Sequence, residues 1–197
     1  ETSMIIWART FQPITSDYPI ITATETSVSV CIGSNGTHWL LGRDLTNGAQ
    51  LFLTSDPSSY FQPSLRPAQT DQGLVTIGRN ELTLWSESTG DVLWKLPLPI
   101  MISSYDSIPS LAVQGEMVIA LTDGPSGSTQ RTLWAINTTA RQVAWKILNQ
   151  GGIGSAIKGD KVYVLKPQFS PSIEVYDLTD GHSIRSYPLS NLNSYVS

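Results

Sequence analysis

The side chains best suited to chemistry are few, and their spacing keeps them apart. His38 and His182 are the two imidazoles of the chain. Neither has a second ligand type at a spacing that places two donors on one element, so each reads as a solvated or packed ring rather than a metal ligand. Cys31, inside Val28-Ser-Val-Cys-Ile32, is the single cysteine. It cannot form an intrachain disulfide, and among apolar β residues it reads as a small buried hydrophobe. The chain contains no Gly-x-Ser-x-Gly, no P-loop and no EF-hand loop. Gly151-Gly-Ile-Gly154 precedes no helix whose N–H groups could hold a phosphate, so it reads as a flexible connector. Asn35-Gly-Thr37 and Asn137-Thr-Thr139 are glycosylation sequons of the sort that chance supplies in a Ser/Thr-rich sequence. The expectation is no catalytic, cofactor-binding or metal residue, no cofactor, and therefore no enzyme.

Composition narrows the classes further. Charged residues make up 14% of the 197 positions, against about a quarter in an average domain. The formal charge is −4, and the twelve Lys and Arg are scattered singly, which leaves no basic footprint for nucleic acid. No apolar run approaches the ~20 residues of a membrane span. No signal-peptide pattern stands at Glu1, a start compatible with an upstream segment removed in processing. A low-charge, hydroxyl-rich surface points to an extracytoplasmic protein, whether secreted, periplasmic or lumenal.

What these residues lack in chemistry they show in repetition. Ser86-Glu-Ser-Thr-Gly90-Asp-Val-Leu-Trp94 sets a nine-residue frame. It recurs without insertion as Asp44-Leu-Thr-Asn-Gly48-Ala-Gln-Leu-Phe52, as Asn137-Thr-Thr-Ala-Arg141-Gln-Val-Ala-Trp145, and as Asp177-Leu-Thr-Asp-Gly181-His-Ser-Ile-Arg185. A truncated copy, Met4-Ile-Ile-Trp7, opens the chain. The anchors Trp7, Phe52, Trp94, Trp145 and Arg185 lie 45, 42, 51 and 40 residues apart. Each frame predicts a hairpin: an apolar strand enters, Asp, Asn or Ser bonds the local backbone, and Gly takes a positive-φ position in three of four copies. Upstream of each hairpin lie a β-rich run (28–32, 74–77, 117–121, 162–165) and a shorter one (20–23, 67–70, 110–113, 155–158). Four strands in about forty residues is the size of a propeller blade, and no amphipathic helix interrupts the pattern.

The frames resemble the tryptophan-docking pattern of the PQQ-like, quinoprotein-type β-propeller repeats, Ala-x-Asp/Asn-x-x-Thr-Gly-x-x-x-Trp. Ala135-Ile-Asn137 through Trp145 matches its two ends and carries Ala140-Arg141 for Thr-Gly. The stretch 84–94 keeps Thr89-Gly90 and the Trp. The outer copies keep Asp44 with Gly48 and Asp177 with Gly181, but place Phe52 and Arg185 at the Trp position. The resemblance covers residues 4–187 and implies an all-β propeller. The expected fold is four four-stranded antiparallel blades plus an extra N-terminal outer strand at 4–11, forming part of a larger ring. One domain over 1–197 is expected, with repeats at 19–52, 67–94, 109–145 and 154–187. Trp7, Phe52, Trp94 and Trp145 are expected to be structural anchors, each covering a neighbouring blade.

Quinoprotein dehydrogenases of this resemblance hold PQQ and Ca²⁺ with a vicinal disulfide, an acidic base and a Trp platform. A single cysteine cannot supply that disulfide, so the resemblance implies fold rather than activity. Non-catalytic relatives include periplasmic outer-membrane assembly lipoproteins and lumenal stress-sensor domains. The function expected is therefore a protein-binding scaffold, with a fragment of a PQQ-type redox enzyme as the alternative. A partner protein or self-association would complete the propeller, because the spare strand at 4–11 has no blade of its own. A ligand face is expected on the blade-to-blade loops (12–18, 54–66, 97–108, 149–152) and the second-to-third-strand loops (123–130, 166–172). Tyr18, Tyr60, Phe61, Tyr105 and Phe169 are its candidate contact residues.

Overall fold

The computed structural model describes residues 20–23, 27–34, 37–55, 67–77, 81–98, 110–123, 131–148, 151–167 and 170–189. Every regular element among them is a β-strand. The first sheet comprises β1 (Ile20–Ala23), β2 (Ser27–Ser34), β3 (Thr37–Asp44) and β4 (Gln50–Ser55). The second comprises β5 (Ala68–Thr70), β6 (Gly73–Ile77), β7 (Glu81–Trp85) and β8 (Val92–Pro97). The third comprises β9 (Ser110–Gln114), β10 (Met117–Asp123), β11 (Arg131–Asn137) and β12 (Gln142–Ile147). The fourth comprises β13 (Gly154–Lys158), β14 (Lys161–Lys166), β15 (Ser172–Asp177) and β16 (Ser183–Pro188). Each sheet is an up-and-down meander in sequence order. The four blades and their strand positions are those expected from the repeat. The spare strand at 4–11 and its Trp7 lie outside the described residues.

The last hairpin of each blade shows why the frame recurs. Asp44 Oδ1 accepts the amides of Thr46 at 2.7 Å and Asn47 at 3.2 Å. Ser86 Oγ accepts the Thr89 amide, Asn137 Oδ1 the Ala140 amide, and Asp177 Oδ1 the Thr179 amide. These side chains do the local bonding that favours a turn over a continued ladder. The Thr46 hydroxyl, and then its amide, hold the Asp44 carboxyl below its ordinary value. The turn reverses through one left-handed residue in every copy: Gly48 at φ 70°, Gly90 at 73°, Arg141 at 55° and Gly181 at 74°. Arg141 therefore bears at that position a strain that glycine avoids.

A second feature repeats with equal regularity. The pairing slips once in each last hairpin, between Gly42/Arg43, Leu84/Trp85, Ala135/Ile136 and Val175/Tyr176. The unpaired extra residue is Leu51, Leu93, Ala144 or Ile184, in each case the one just before the anchor. A bulge there changes which face the next side chain occupies. Phe52 is 6% exposed and Trp94 9%, whereas the flanking Leu51, Leu53 and Leu93 are 40–50% exposed.

The blades group into two compact units: the first two blades, and the last two together with the Thr70–Gln72 turn. In the first unit Leu40 and Phe52 of blade one pack with Leu74 and Trp85 of blade two. Trp85 is fully buried and its Nε1 donates to Thr76 Oγ1 at 2.8 Å. In the second unit Ile119, Leu121, Leu133 and Ala135 of blade three pack with Val162, Val164 and Tyr176 of blade four. There Trp134 Nε1 donates to Thr122 Oγ1 at 2.9 Å, with both residues buried. The innermost strands β9 and β13 of this unit also meet through hydroxyls: Ser110 Oγ lies 3.0 Å from Ser155 Oγ and accepts the Ser155 amide at 2.9 Å.

The Gly151–Gly154 segment departs from the expected flexible connector. Gly152 is buried, and a Cβ on it would stand 2.5 Å from Val164 Cγ1 and 3.3 Å from Leu121 Cδ2. Its carbonyl accepts Arg131 Nη1 at 2.5 Å, and the Ile153 amide donates to the Leu165 carbonyl at 2.9 Å. The absent side chain lets the connector pass between the two blades, and the hydrogen bonds fix it there. Gly152→Ala should therefore cost about 1–3 kcal/mol by overpacking, read as a lowered urea midpoint. An unchanged midpoint would mean the neighbours yield freely. Trp134→Phe removes the donor to a buried Thr122 hydroxyl and should cost about 1–3 kcal/mol in the same assay.

Candidate functional site

The most developed constellation is the seat in which an aromatic from the last strand of one blade lies on the turn glycine of the next. In the first unit Phe52 covers Gly90, and a Cβ on Gly90 would meet Phe52 Cδ2 at 2.5 Å. In the second unit Trp145 covers Gly181, where a Cβ would meet Trp145 Cδ2 at 2.7 Å. The Trp145 Nε1 also donates to the Leu178 carbonyl at 2.9 Å, within that turn's frame. Both seats need a residue without a side chain, already in the left-handed conformation and held by its amide: Gly90 to the Ser86 carbonyl at 2.9 Å, Gly181 to the Asp177 carbonyl at 3.0 Å. Trp94 is buried as well, and its Nε1 has no hydrogen-bond partner among the described residues. Arg185, at the fourth anchor position, is exposed on β16 and stacks over Tyr187 at 4.7 Å.

The remaining sequence candidates divide by where they fall. Tyr18, Tyr60, Phe61, Tyr105 and Phe169, the candidate contact residues of the loops, lie outside the described residues. The Cys31 backbone pairs within β2 opposite Ile20 and Leu40, and that of His38 within β3 opposite Gly33; their side chains lie outside the described residues. Leu51, Leu53, Val92 and Leu93 form exposed apolar stretches on β4 and β8. A reading of the sequence that seeks recognition in loops passes over them.

His182 differs from its sequence reading as an imidazole without a partner. Its Nδ1 lies 2.7 Å from Asp180 Oδ1, and its amide donates to the same oxygen at 2.9 Å. Asp177, Asp180 and His182 bring one ligand-type atom each within 4.8 Å of one another on the exposed β15–β16 turn. The reversal of the turn, closed by the Asp177 amide on the His182 carbonyl at 3.0 Å, brings the three together. The His182 amide, and then its ring, hold Asp180 below the ordinary carboxylate value.

No curated protein sequence matches the chain. Among family profiles, the one described as "Outer membrane protein assembly factor BamB" (PQQ_2) matches residues 44–195. The chain belongs to this family. The matched BamB-family region begins at Asp44 and takes in all four nine-residue frames. Solved structures align as well, among them the following three. The europium-containing methanol dehydrogenase does so at a TM-score of 0.66 and 10% identity, covering 85% of this chain and 41% of its own. Sqt1 of Saccharomyces cerevisiae does so at 0.59 and 13%, covering 82% and 44%. BamB from Moraxella catarrhalis does so at 0.45 and 10%, covering 82% and 60%. The chain thus spans 41–60% of the length of these structures, and the first two establish the fold.

Two outcomes follow for this BamB-family chain. Trp145→Ala should cost about 3–5 kcal/mol through lost burial and a cavity, read by urea or thermal unfolding; a cost below about 1 kcal/mol would mean the ring is not anchoring the blade. The second concerns acid. A carboxyl lowered in the folded state stabilises it above the unfolded-state value near ~3.9, and that contribution fades as pH falls through the folded value. Asp180→Asn should accordingly lose less melting temperature than the parent between pH 5 and pH 2 (roughly the carboxylate range). Parallel acid limbs would show that the turn carries no such linkage.

Proposed function

We propose that this chain is a non-catalytic, extracytoplasmic protein-binding scaffold forming part of a larger propeller, whose other blades come from further chain or from a partner. The observation that carries the reading is the family match over residues 44–195, described as an outer membrane protein assembly factor. Coverage of 41% of the methanol dehydrogenase and 44% of Sqt1 supports a larger ring. The low charge of the chain favours the compartment, and no helix among the described residues is long and apolar enough to cross a membrane.

The non-catalytic part rests on chemistry. The quinone site of PQQ dehydrogenases needs a vicinal disulfide, and this chain has one cysteine, Cys31. The residues present do not fit that group, and no step through it is derived. The described frame residues that could otherwise serve chemistry are engaged in turns and seats: Asp44, Asp177 and Asn137 accept turn amides, while Phe52 and Trp145 cover glycines. We therefore assign recognition to the segments between the frames, where the sequence puts Tyr18, Tyr60, Phe61, Tyr105 and Phe169.

Photo-crosslinking decides the binding reading. A benzoylphenylalanine placed singly at those five positions in the native cells should give a discrete protein adduct at two or more of them. The same probe at Ile184, 41% exposed and just after the β15–β16 turn rather than beside any of the ligand-face loops, should give none. Adducts at Ile184 alone, or none anywhere, would sink the scaffold reading. Titration with PQQ and Ca²⁺, followed by calorimetry, should show no saturable heat; a stoichiometric complex would instead favour a redox fragment.

A further inference from the structure

A sheet that ends in solvent offers a row of unpaired backbone groups to any other strand, and proteins guard such edges with cations and prolines. β4, β8, β12 and β16 each end their sheet, with no strand beyond them among the described residues. Three of the four are guarded. Lys95 of β8 is held by Glu81 at 2.9 Å, Lys146 of β12 lies 5.3 Å from the centre of the Trp134 ring, and Arg185 of β16 lies 4.7 Å from that of Tyr187. β8 and β16 also close on Pro97 and Pro188. β4 reads Gln50-Leu-Phe-Leu-Thr-Ser55, with no charge and no proline. Its Leu51 and Leu53 are 40% and 50% exposed on either side of the buried Phe52. The bulge at Leu51 has a counterpart in every outer strand, so it does not set β4 apart. Beyond the bulge β4 is regular: Phe52, Leu53 and Thr54 pair in turn with Gly42, Leu41 and Leu40.

We propose that β4 is a pairing edge for a second copy of this chain, joined antiparallel to its own counterpart about a two-fold axis near Leu53. Charge selects the occupant. Pairing β8, β12 or β16 with its own copy brings like charges together across the ladder and takes them out of water, whereas β4 against β4 brings none. Pairing β4 with one of the other three still sets a cation into an apolar edge. Two copies of β4 present the same uncharged row, each Leu53 meets the other, and the two-fold closes the assembly at two chains. Exposed leucine alone does not make such an edge. Val92 and Leu93 of β8 are 41% and 47% exposed, as open as Leu51 and Leu53, yet Lys95 and Pro97 stand on the same strand. The interface lies on the outer strand of blade one and not on the segments between the frames. It goes beyond the scaffold reading, and neither depends on the other.

Sedimentation velocity on the purified full chain, over a series of concentrations, tests it. The parent should show a monomer–dimer equilibrium. Leu53→Lys gives β4 the guard that the other three edges carry. It should raise the dimer dissociation constant about tenfold or more and leave the far-ultraviolet circular dichroism unchanged. Leu93→Lys removes a similarly exposed leucine from β8 and should leave the constant as it is. A parent that stays monomeric up to about 1 mM overturns the proposal, and so does an equal loss of association in the two variants. Should Leu53→Lys fail to fold, a disulfide gives a second reading. Residues opposite one another on antiparallel strands hold their Cβ atoms about 4.5–5.5 Å apart, close enough for the bond to form. Leu53→Cys in a Cys31→Ser chain should therefore oxidise to a covalent dimer, and Leu93→Cys in the same background should not. Cross-linking through position 93 alone, or through neither position, overturns the pairing.

Discussion

A flat aromatic ring laid on a bare backbone turn is the contact on which the rest of this chain depends. Burying such a ring removes about 150–250 Å² from water, an upper bound of about 4–6 kcal/mol at ~25 cal/mol per Å². The hydrogen bonds that shape the turn contribute about 1 kcal/mol each. Burial therefore holds the blades of each unit together, while the turn bonds decide where the ring can lie. Three local devices serve it at once: the glycine removes the obstructing Cβ, the Asx or Ser side chain sets the turn, and the bulge rotates the ring onto the covered face. The turn and the bulge recur in all four frames, while the glycine gives way to Arg141 in the third and the ring to Arg185 in the fourth.

The anchors also show how a common frame tolerates different chemistry. Phe52 brings no polar group and needs none satisfied. Trp145 brings an indole N–H and finds the Leu178 carbonyl. Trp94 carries the same group buried and unpaired among the described residues, an arrangement that costs about 1–3 kcal/mol relative to a satisfied one. Arg185 gives up burial altogether and leaves β16 exposed along its whole length. Ser183, Arg185 and Ser186 make that strand polar, and charge on an edge strand discourages the pairing that an apolar edge would invite.

The parts of this structure that can be read from sequence are those in which cause and effect lie within one frame. The nine residues from Asp44 to Phe52 contain the bonding side chain, the left-handed residue and the ring, so the hairpin is visible, as are four blades once four copies stand in phase. Gly152 shows the opposite case. Its need for a missing side chain comes from Leu121 and Val164, on two different blades, and nothing in Gly151-Gly-Ile-Gly154 announces either neighbour. Asp180 and His182 escape the sequence pattern for another reason: they sit on a turn, where neither helical nor strand periodicity says which side chains meet, and the local backbone brings them together.

A repeat that spends its distinctive residues on its own assembly constrains where function can reside. In the four described frames, the Asp and Asn side-chain oxygens accept turn amides, Gly90 and Gly181 lie under rings, and the rings are buried or half-buried wherever they are aromatic. Substituting any of these for a ligand-binding residue would weaken the seat that holds two blades together. Variation is tolerated only where the frame does not reach. The anchor spacings of 45, 42, 51 and 40 residues differ while every frame keeps its nine residues, so all the variation in length lies between the frames. Those intervening segments are free to change without unseating a ring, so they are where members of such a repeat family can differ from one another.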